Sequence, residues 1–158
     1  MTSERVQNLL NDIEITISNI HNFVGINQRE KSYLAQYLAV YICGTYEECI
    51  KNTITLWAQT KCSPEIVSFI DKYLYEHFRN PDSDRVIELL QKFNSGWADE
   101  IQKMSKIIKD ALDSIVLNKN HIAHGQKSEI TLNDIDKWYP RSKQIILKID
   151  QLLLEDSL

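Results

Sequence analysis

The stretch WADEIQKMSKIIKDALDSIVLNKNHIAHG, residues 97–125, has a strongly periodic apolar pattern that ends in a polar segment. Its apolar residues recur every three or four positions, which is the period of an amphipathic helix. The predicted buried stripe consists of Trp97, Ile101, Met104, Ile108, Leu112 and Ile115. A helix that begins near Trp97 therefore leads directly into the polar segment 118–125. Gly125 fits the end of this helix, because glycine is favoured at helix C-termini.

The same period continues along most of the chain, and no segment alternates with a period of two. The sequence therefore predicts an all-α, single-domain bundle of about five to six helices over residues 1–158. The predicted helices cover roughly residues 2–23, 28–60, 63–78, 85–93, 97 to the polar segment, and 132–154. The second of these helices is unusually long.

Residues that favour helix ends separate these segments. Gly25 and Asn27 are expected to end the first helix, and Ser63 followed by Pro64 to begin the third. Residues 80–83 form a predicted turn, and residues 94–96 a second break. Thr131, with Asp134 three residues later, resembles a capping box that opens the last helix.

Composition excludes several classes of protein. Hydrophobic residues make up 43% of the chain and charged residues 25%, which is ordinary globular usage. No apolar run approaches the roughly 18 residues of a membrane span, and the N-terminus is polar, so we expect a cytoplasmic protein without membrane contact. Cys43, Cys49 and Cys62 lack the spacing of a zinc site, so we expect free, buried thiols and no metal or cofactor.

Charge is distributed unevenly along the chain, whose net charge is −4. Residues 1–100 hold 9 basic and 14 acidic side chains, whereas residues 101–158 hold 9 basic and 8 acidic ones. Two interpretations stay open for the C-terminal lysines: a local cationic surface for RNA, or an ordinary solvated helix face.

The second helix contains a local conflict in its apolar pattern. Thr45, Glu48 and Asn52 continue, at helical spacing, a line of apolar and aromatic residues. Buried polar groups are costly unless they are paired, so this break predicts a cleft or an interface. The alternative is that the helix rolls slightly and these residues reach water.

The segment 118–125, NKNHIAHG, carries the candidate chemistry. A cation, an amide and two imidazoles (Lys119, Asn120, His121 and His124) lie within six residues. Imidazole titrates near neutral pH and so serves as a general acid or base.

This segment resembles the RNxxxH signature of the HEPN superfamily, with Lys119, Asn120 and His124 at the signature positions. The long second helix, which contains the triplet 46–48 (Tyr-Glu-Glu), agrees with this resemblance. The chain looks most like the RiboL-PSP-HEPN and related groups of prokaryotic toxin and phage-defence systems.

The resemblance implies a HEPN-like helical domain and metal-independent RNA cleavage. It implies that His124 is the general base or acid, that Lys119 stabilises negative charge on the phosphate, and that Asn120 orients the phosphate or the histidine. Glu48, with Thr45 and Asn52, is a candidate for orienting these groups. His121 is the alternative imidazole.

One departure from the signature is the lysine at position 119, where the family has arginine. Arginine grips a phosphate with two donors at once, whereas lysine offers one compact charge. Three origins stay open: a working natural variant, a weak or inactive homologue, or an engineered attenuation of a toxic protein.

Helix geometry raises a question about Lys119 and His124. Positions five apart on a continuous helix point about 140° from one another. The two side chains converge if the helix unwinds near Asn120, or if two subunits pair and share one cleft. We favour a homodimer, which would place two histidines beside one phosphate.

Three functional hypotheses follow. The first is an endoribonuclease of a toxin-antitoxin or antiphage system, held in check by a cognate antitoxin or other partner. The second is a weak or inactive HEPN domain that binds RNA or nucleotide, or acts as a dimerisation scaffold in a defence complex. The third is a helical adaptor in which the motif is accidental.

Overall fold

Seven helices follow one another in the computed structural model, which describes residues 2–157. They are α1 (Glu4–His21), α2 (Gln28–Lys61), α3 (Pro64–His77), α4 (Ser83–Phe93), α5 (Ser95–Gln102), α6 (Lys106–Ala123) and α7 (Leu132–Ser157). No strand occurs within this described range. The all-α prediction is therefore confirmed, although its expected terminal residues, 1 and 158, lie outside the described residues.

The predicted count of five to six helices is wrong, because the expected fifth helix is two helices. α5 ends at Gln102, and α6 begins only at Lys106. The amide of Met104 donates to the carbonyl of Ile101 at 3.1 Å, and Ser105 is extended with ψ 146°. Neither glycine nor proline marks this break, and the apolar spacing continues across it, so the sequence pattern concealed it.

Caps explain most of the other helix ends. Asn27, expected to end the first helix, instead begins α2, because its side chain and that of Glu30 accept each other's backbone amides at 3.0 and 2.8 Å. The predicted capping box of Thr131 and Asp134 is present at the start of α7. α7 also continues past the predicted end at residue 154.

The core lies where α2, α6 and α7 pack against one another. Tyr46 of α2 is fully buried, and its hydroxyl shares a 2.8 Å hydrogen bond with Ser142 of α7. Leu112 and Ile115 anchor α6 in the same core. Core packing therefore restrains the position of α6, including its C-terminal end.

Three free cysteines occur, of which Cys43 and Cys49 are buried and Cys62 is half-buried. The expectation of buried thiols is thus met by two of them. None of the helices within residues 2–157 is long and apolar enough to cross a membrane.

The turn between α3 and α4 is tied to α6 by one carboxylate. The backbone amide and the hydroxyl of Ser83 donate to Asp113 at 2.7 and 2.9 Å. Because Ser83 is buried and begins α4, this contact fixes the preceding turn, residues 79–82, against α6.

Replacement of Asp113 by alanine should lower the free energy of unfolding by about 1.5–3 kcal/mol, the usual worth of hydrogen bonds to a charged group. Urea denaturation followed by circular dichroism measures this change. Asp110→Ala is the matched control, because Asp110 is exposed on the same helix and pairs only with Lys106 at 3.4 Å. Equal destabilisation by the two variants would contradict the anchoring role of Asp113.

Candidate active site at the end of helix α6

Helix α6 ends in a glycine-terminated cap. His124 is the C-cap residue of α6. Gly125 follows it with a φ of +68°, in the left-handed region that glycine tolerates best. The amide of Gly125 donates to Ile122 at 3.1 Å, and that of Gln126 donates to His121 at 2.8 Å. This is the hydrogen-bond pattern of a Schellman motif. The predicted helix end is confirmed, and it holds His124 at the C-terminus of α6.

A cleft of about 520 Å³ opens beside this helix end. α2, α6 and the end of α3 with the turn that follows it supply its walls. Its lining residues are Glu47, Glu48, Lys51, Tyr75, Arg79, Asn80, Lys119, Asn120, Ala123 and His124. The three signature residues, Lys119, Asn120 and His124, therefore share one cleft.

Lys119 lines this cleft as a half-buried residue, and a hydrogen bond holds its side chain in place. Its ammonium donates to the side-chain oxygen of Asn80 at 2.6 Å. Burial raises the pKa of the neighbouring Cys43 thiol to about 11, and the charge of Lys119 opposes that shift. The positive charge of Lys119 is thus held near Cys43 of α2, and the hydrogen bond to Asn80 sets the direction of the lysine side chain.

Asn80 connects Lys119 to α2. Its backbone has a φ of 55°, and its amide donates to Glu47 at 3.2 Å. The second oxygen of Glu47 accepts from Lys51 at 2.8 Å. The ammonium of Lys51 also lies 4.9 Å from the centre of the Tyr75 ring. Glu47 is therefore engaged through both oxygens, which reduces the negative charge that it presents to the cleft.

His124 and Asn120 occupy the open part of the cleft. They are one helical turn apart, so their side chains lie on the same face of α6. Within residues 2–157, the ring of His124 makes no hydrogen bond, and the side chain is exposed. Its two nitrogens are consequently accessible to a ligand.

α6 is continuous through Ala123, so the first of the two alternatives, unwinding of the helix near Asn120, does not occur. Lys119 and His124 nevertheless line the same cleft. The long side chain of Lys119 reaches across to Asn80, whereas His124 stands at the helix end, where the backbone has begun to turn away.

The supporting candidates on α2 divide between the cleft and its surroundings. Glu48 lines the cleft, accepts from Asn52 at 3.0 Å and lies 3.7 Å from Arg5. Asn52 itself lies outside the cleft lining. Thr45 is buried and donates to the carbonyl of Tyr41 at 2.9 Å, so it also lies outside.

His121, the alternative imidazole, is half-buried and does not line the cleft. Its carbonyl instead accepts the amide of Gln126 in the helix cap. His124 is thus exposed in the cleft, whereas His121 is half-buried outside it.

Five cleft residues were not predicted from the sequence: Glu47, Lys51, Tyr75, Arg79 and Asn80. They come from α2 and from the end of α3, far from the signature in sequence. The turn at residues 80–83 was predicted, but nothing in the sequence indicated that it would meet α6. Among residues 2–157, no group of three or more histidine, cysteine, aspartate or glutamate side chains is placed to hold a metal ion.

The model of the RiboL-PSP-HEPN family matches residues 4–155 of the chain. The chain belongs to the RiboL-PSP-HEPN family. Its HEPN domain thus includes all seven helices from α1 to most of α7, together with the cleft. No curated protein and no solved structure matches the chain significantly.

Replacement of Asn80 by glycine and by alanine should separate its backbone role from its side-chain role. Both variants lose the bond to Lys119, but only alanine meets the left-handed backbone with a Cβ atom. We expect Asn80→Ala to unfold about 1 kcal/mol more readily than Asn80→Gly. Thermal and urea denaturation measure the difference, and equal stabilities would show that the turn relaxes to another conformation.

Proposed function

We propose that this HEPN protein is a metal-independent endoribonuclease that cuts RNA in the cleft at the end of α6. The supporting observation is that Lys119, Asn120 and His124, in the order of the RNxxxH signature, line one open cleft. The context that the resemblance suggests is a prokaryotic toxin-antitoxin or antiphage system, acting in the cytoplasm and restrained by a cognate antitoxin or other partner.

The residue types suit cleavage by the ribose itself. An imidazole takes the proton of the 2′-hydroxyl, the 2′-oxygen bonds to the adjacent phosphorus, and the bond from phosphorus to the 5′-oxygen breaks. A second proton donor supplies the leaving 5′-oxygen. The products are a 2′,3′-cyclic phosphate and a 5′-hydroxyl. His124 takes the proton-transfer role, and Asn120, one turn away, orients the phosphate.

Two cations share the stabilisation of the phosphate. Lys119 supplies a fixed ammonium, and Arg79 brings an exposed guanidinium to the same cleft. A guanidinium can donate two parallel hydrogen bonds to a phosphate, which a lysine cannot. Arg79 therefore compensates in part for the absence of arginine at position 119.

A homodimer supplies the second proton donor. One cleft contains one accessible imidazole, whereas two-fold pairing of the clefts brings two together. On α2, a stripe of Tyr33, Tyr37, Val40 and Gly44 is exposed and leads toward Glu47 and Glu48 at the cleft. We assign this stripe to the dimer interface.

Gly44 is the most informative member of the stripe. It lies in the middle of a 34-residue helix, where glycine costs about 1 kcal/mol relative to alanine. A Cβ atom at this position would meet nothing within 4 Å in the same chain. Packing within the chain therefore does not require this glycine, whereas close approach of a second backbone would.

A second function is favoured by a specific observation at the cleft. The ammonium of Lys119 is already engaged by Asn80 at 2.6 Å, and the partly exposed carboxylate of Glu48 lines the same cleft. These features weaken the grip on a phosphate. They suit a low-activity or inactive HEPN domain that binds RNA or nucleotide, or that acts as a dimerisation scaffold.

Cleavage assays distinguish the two functions. Purified protein should cut total bacterial RNA in EDTA, and His124→Ala should lower the rate about 100-fold or more, the usual contribution of general acid-base catalysis. Lys119→Arg should raise the rate, because it restores the two-donor grip. His121→Ala is the matched control and should leave the rate nearly unchanged. Absence of cleavage by all of these proteins would favour the scaffold function.

Replacement of Gly44 by alanine tests the dimer. In a monomer, alanine should stabilise α2 by up to about 1 kcal/mol. In the proposed dimer, the added methyl group should weaken self-association and lower RNA cleavage together. Sedimentation velocity over a range of protein concentrations measures the association. A wild-type protein that stays monomeric at all concentrations would exclude this interface.

A further inference from the structure

A second pocket lies beside the cleft, between α3 and α4. Its volume is about 230 Å³, and it presents an aromatic wall and a cationic rim. The residues that give it this character are Tyr73, His77, Arg79, Arg85, Glu88 and Lys92. None of them belongs to the signature segment.

The aromatic wall consists of Tyr73 and His77. Their ring centres lie 4.8 Å apart with an angle of 44° between the planes, and the His77 side chain is 59% exposed. An exposed flat ring supported by a second ring is a surface on which a nucleobase can stack. The stacking is tolerant of sequence, because every base has a π face.

The cationic rim is ordered by contacts with this wall and with the turn. Lys92 donates to the hydroxyl of Tyr73 at 3.1 Å, and this bond raises the pKa of the Lys92 ammonium. Arg85 donates to the carbonyl of Arg79 at 3.0 Å. The positions of both cations are thus restrained.

Three carboxylates lie near the three cations; two of them are exposed, and Asp82 is partly buried. Glu88 lies 3.7 Å from Lys92, Asp82 lies 3.6 Å from Arg85, and Glu76 lies 3.8 Å from His77. The pocket lining itself has three cations and one carboxylate. It is consequently a positive site on a chain whose net charge is −4.

Arg79 joins this pocket to the cleft, because it lines both. Arg79 therefore offers a positive contact that the two sites share.

We propose that the pocket between α3 and α4 is a subsite for a nucleotide that flanks the cleaved phosphate of single-stranded RNA. The base stacks on His77 and Tyr73, and Lys92 and Arg85 contact the backbone phosphate. Single-stranded RNA is the substrate class, because a base in a duplex is already stacked and cannot enter. This subsite rests on the proposed function, since the cleft defines where the scissile phosphate lies.

Binding of an RNA that cannot be cut tests the subsite. The probe is a fluorescein-labelled, unstructured hexanucleotide with 2′-O-methyl groups, and fluorescence anisotropy measures its dissociation constant. His77→Ala should weaken binding about fivefold or more through lost stacking, whereas His77→Phe should retain it. Lys92→Gln should weaken binding and lower the slope of log Kd against log salt concentration by about 0.7. Tyr73→Leu, which keeps apolar bulk but loses the ring, should resemble His77→Ala.

Two controls match these variants in residue type and exposure. His21→Ala removes an exposed histidine near Asp136, and Lys106→Gln removes an exposed lysine at the start of α6. Both should leave the affinity unchanged. Hexanucleotide binding that is equally strong in the pocket variants and in the controls would overturn the subsite, as would absence of binding to the wild-type protein.

Cleavage of the unmodified hexanucleotide by the wild-type protein is scored separately. RNA that binds through His77 but is not cut would contradict the nuclease and support the subsite. RNA that is cut, but whose affinity is independent of His77 and Lys92, would support the nuclease and overturn the subsite.

Discussion

Asn80 is the point at which the three walls of the cleft meet. Its amide donates to Glu47 of α2, and its side-chain oxygen accepts from Lys119 of α6. Both contacts need the left-handed backbone, with φ 55°, at the turn after α3. The Ser83 contact with Asp113 fixes the other end of this turn to α6. The direction of Lys119, and hence the shape of the cleft, depends on this one turn.

The charge of the cleft follows from the same contacts. Glu47 uses one oxygen for Asn80 and the other for the buried ammonium of Lys51, so the Glu47–Lys51 pair is nearly neutral to a ligand. Glu48 remains partly exposed at the rim and faces Arg5. The cations left for a phosphate are Lys119, which is half-buried, and Arg79, which is exposed. A protein with net negative charge can therefore present a small positive site.

Local sequence signals predicted the helices and the end of α6, because capping residues and apolar spacing act within a few positions. The Schellman cap at Gly125 is such a local effect. The break after Gln102 had no glycine or proline and was missed. The cleft partners of Lys119 were also missed, since only the packing of α2, α3 and α6 brings Asn80, Glu47 and Arg79 to the signature. Thr45 and Asn52 lie on the same helix as Glu47 but do not line the cleft. Each donates its side-chain hydrogen bond to a residue one turn earlier in α2, Thr45 to Tyr41 and Asn52 to Glu48.

The chemical ends of the RNA products distinguish attack by the ribose 2′-oxygen from attack by water. A defined single-stranded oligonucleotide, incubated with the protein in EDTA and examined by mass spectrometry, should yield a 2′,3′-cyclic phosphate and a 5′-hydroxyl at each cut. A single 2′-deoxy substitution at the cut nucleotide should prevent cleavage there, because the attacking oxygen is then absent. Products with a 5′-phosphate and a 3′-hydroxyl, or cleavage that persists at the 2′-deoxy position, would contradict attack by the ribose in the cleft of Lys119, Asn120 and His124.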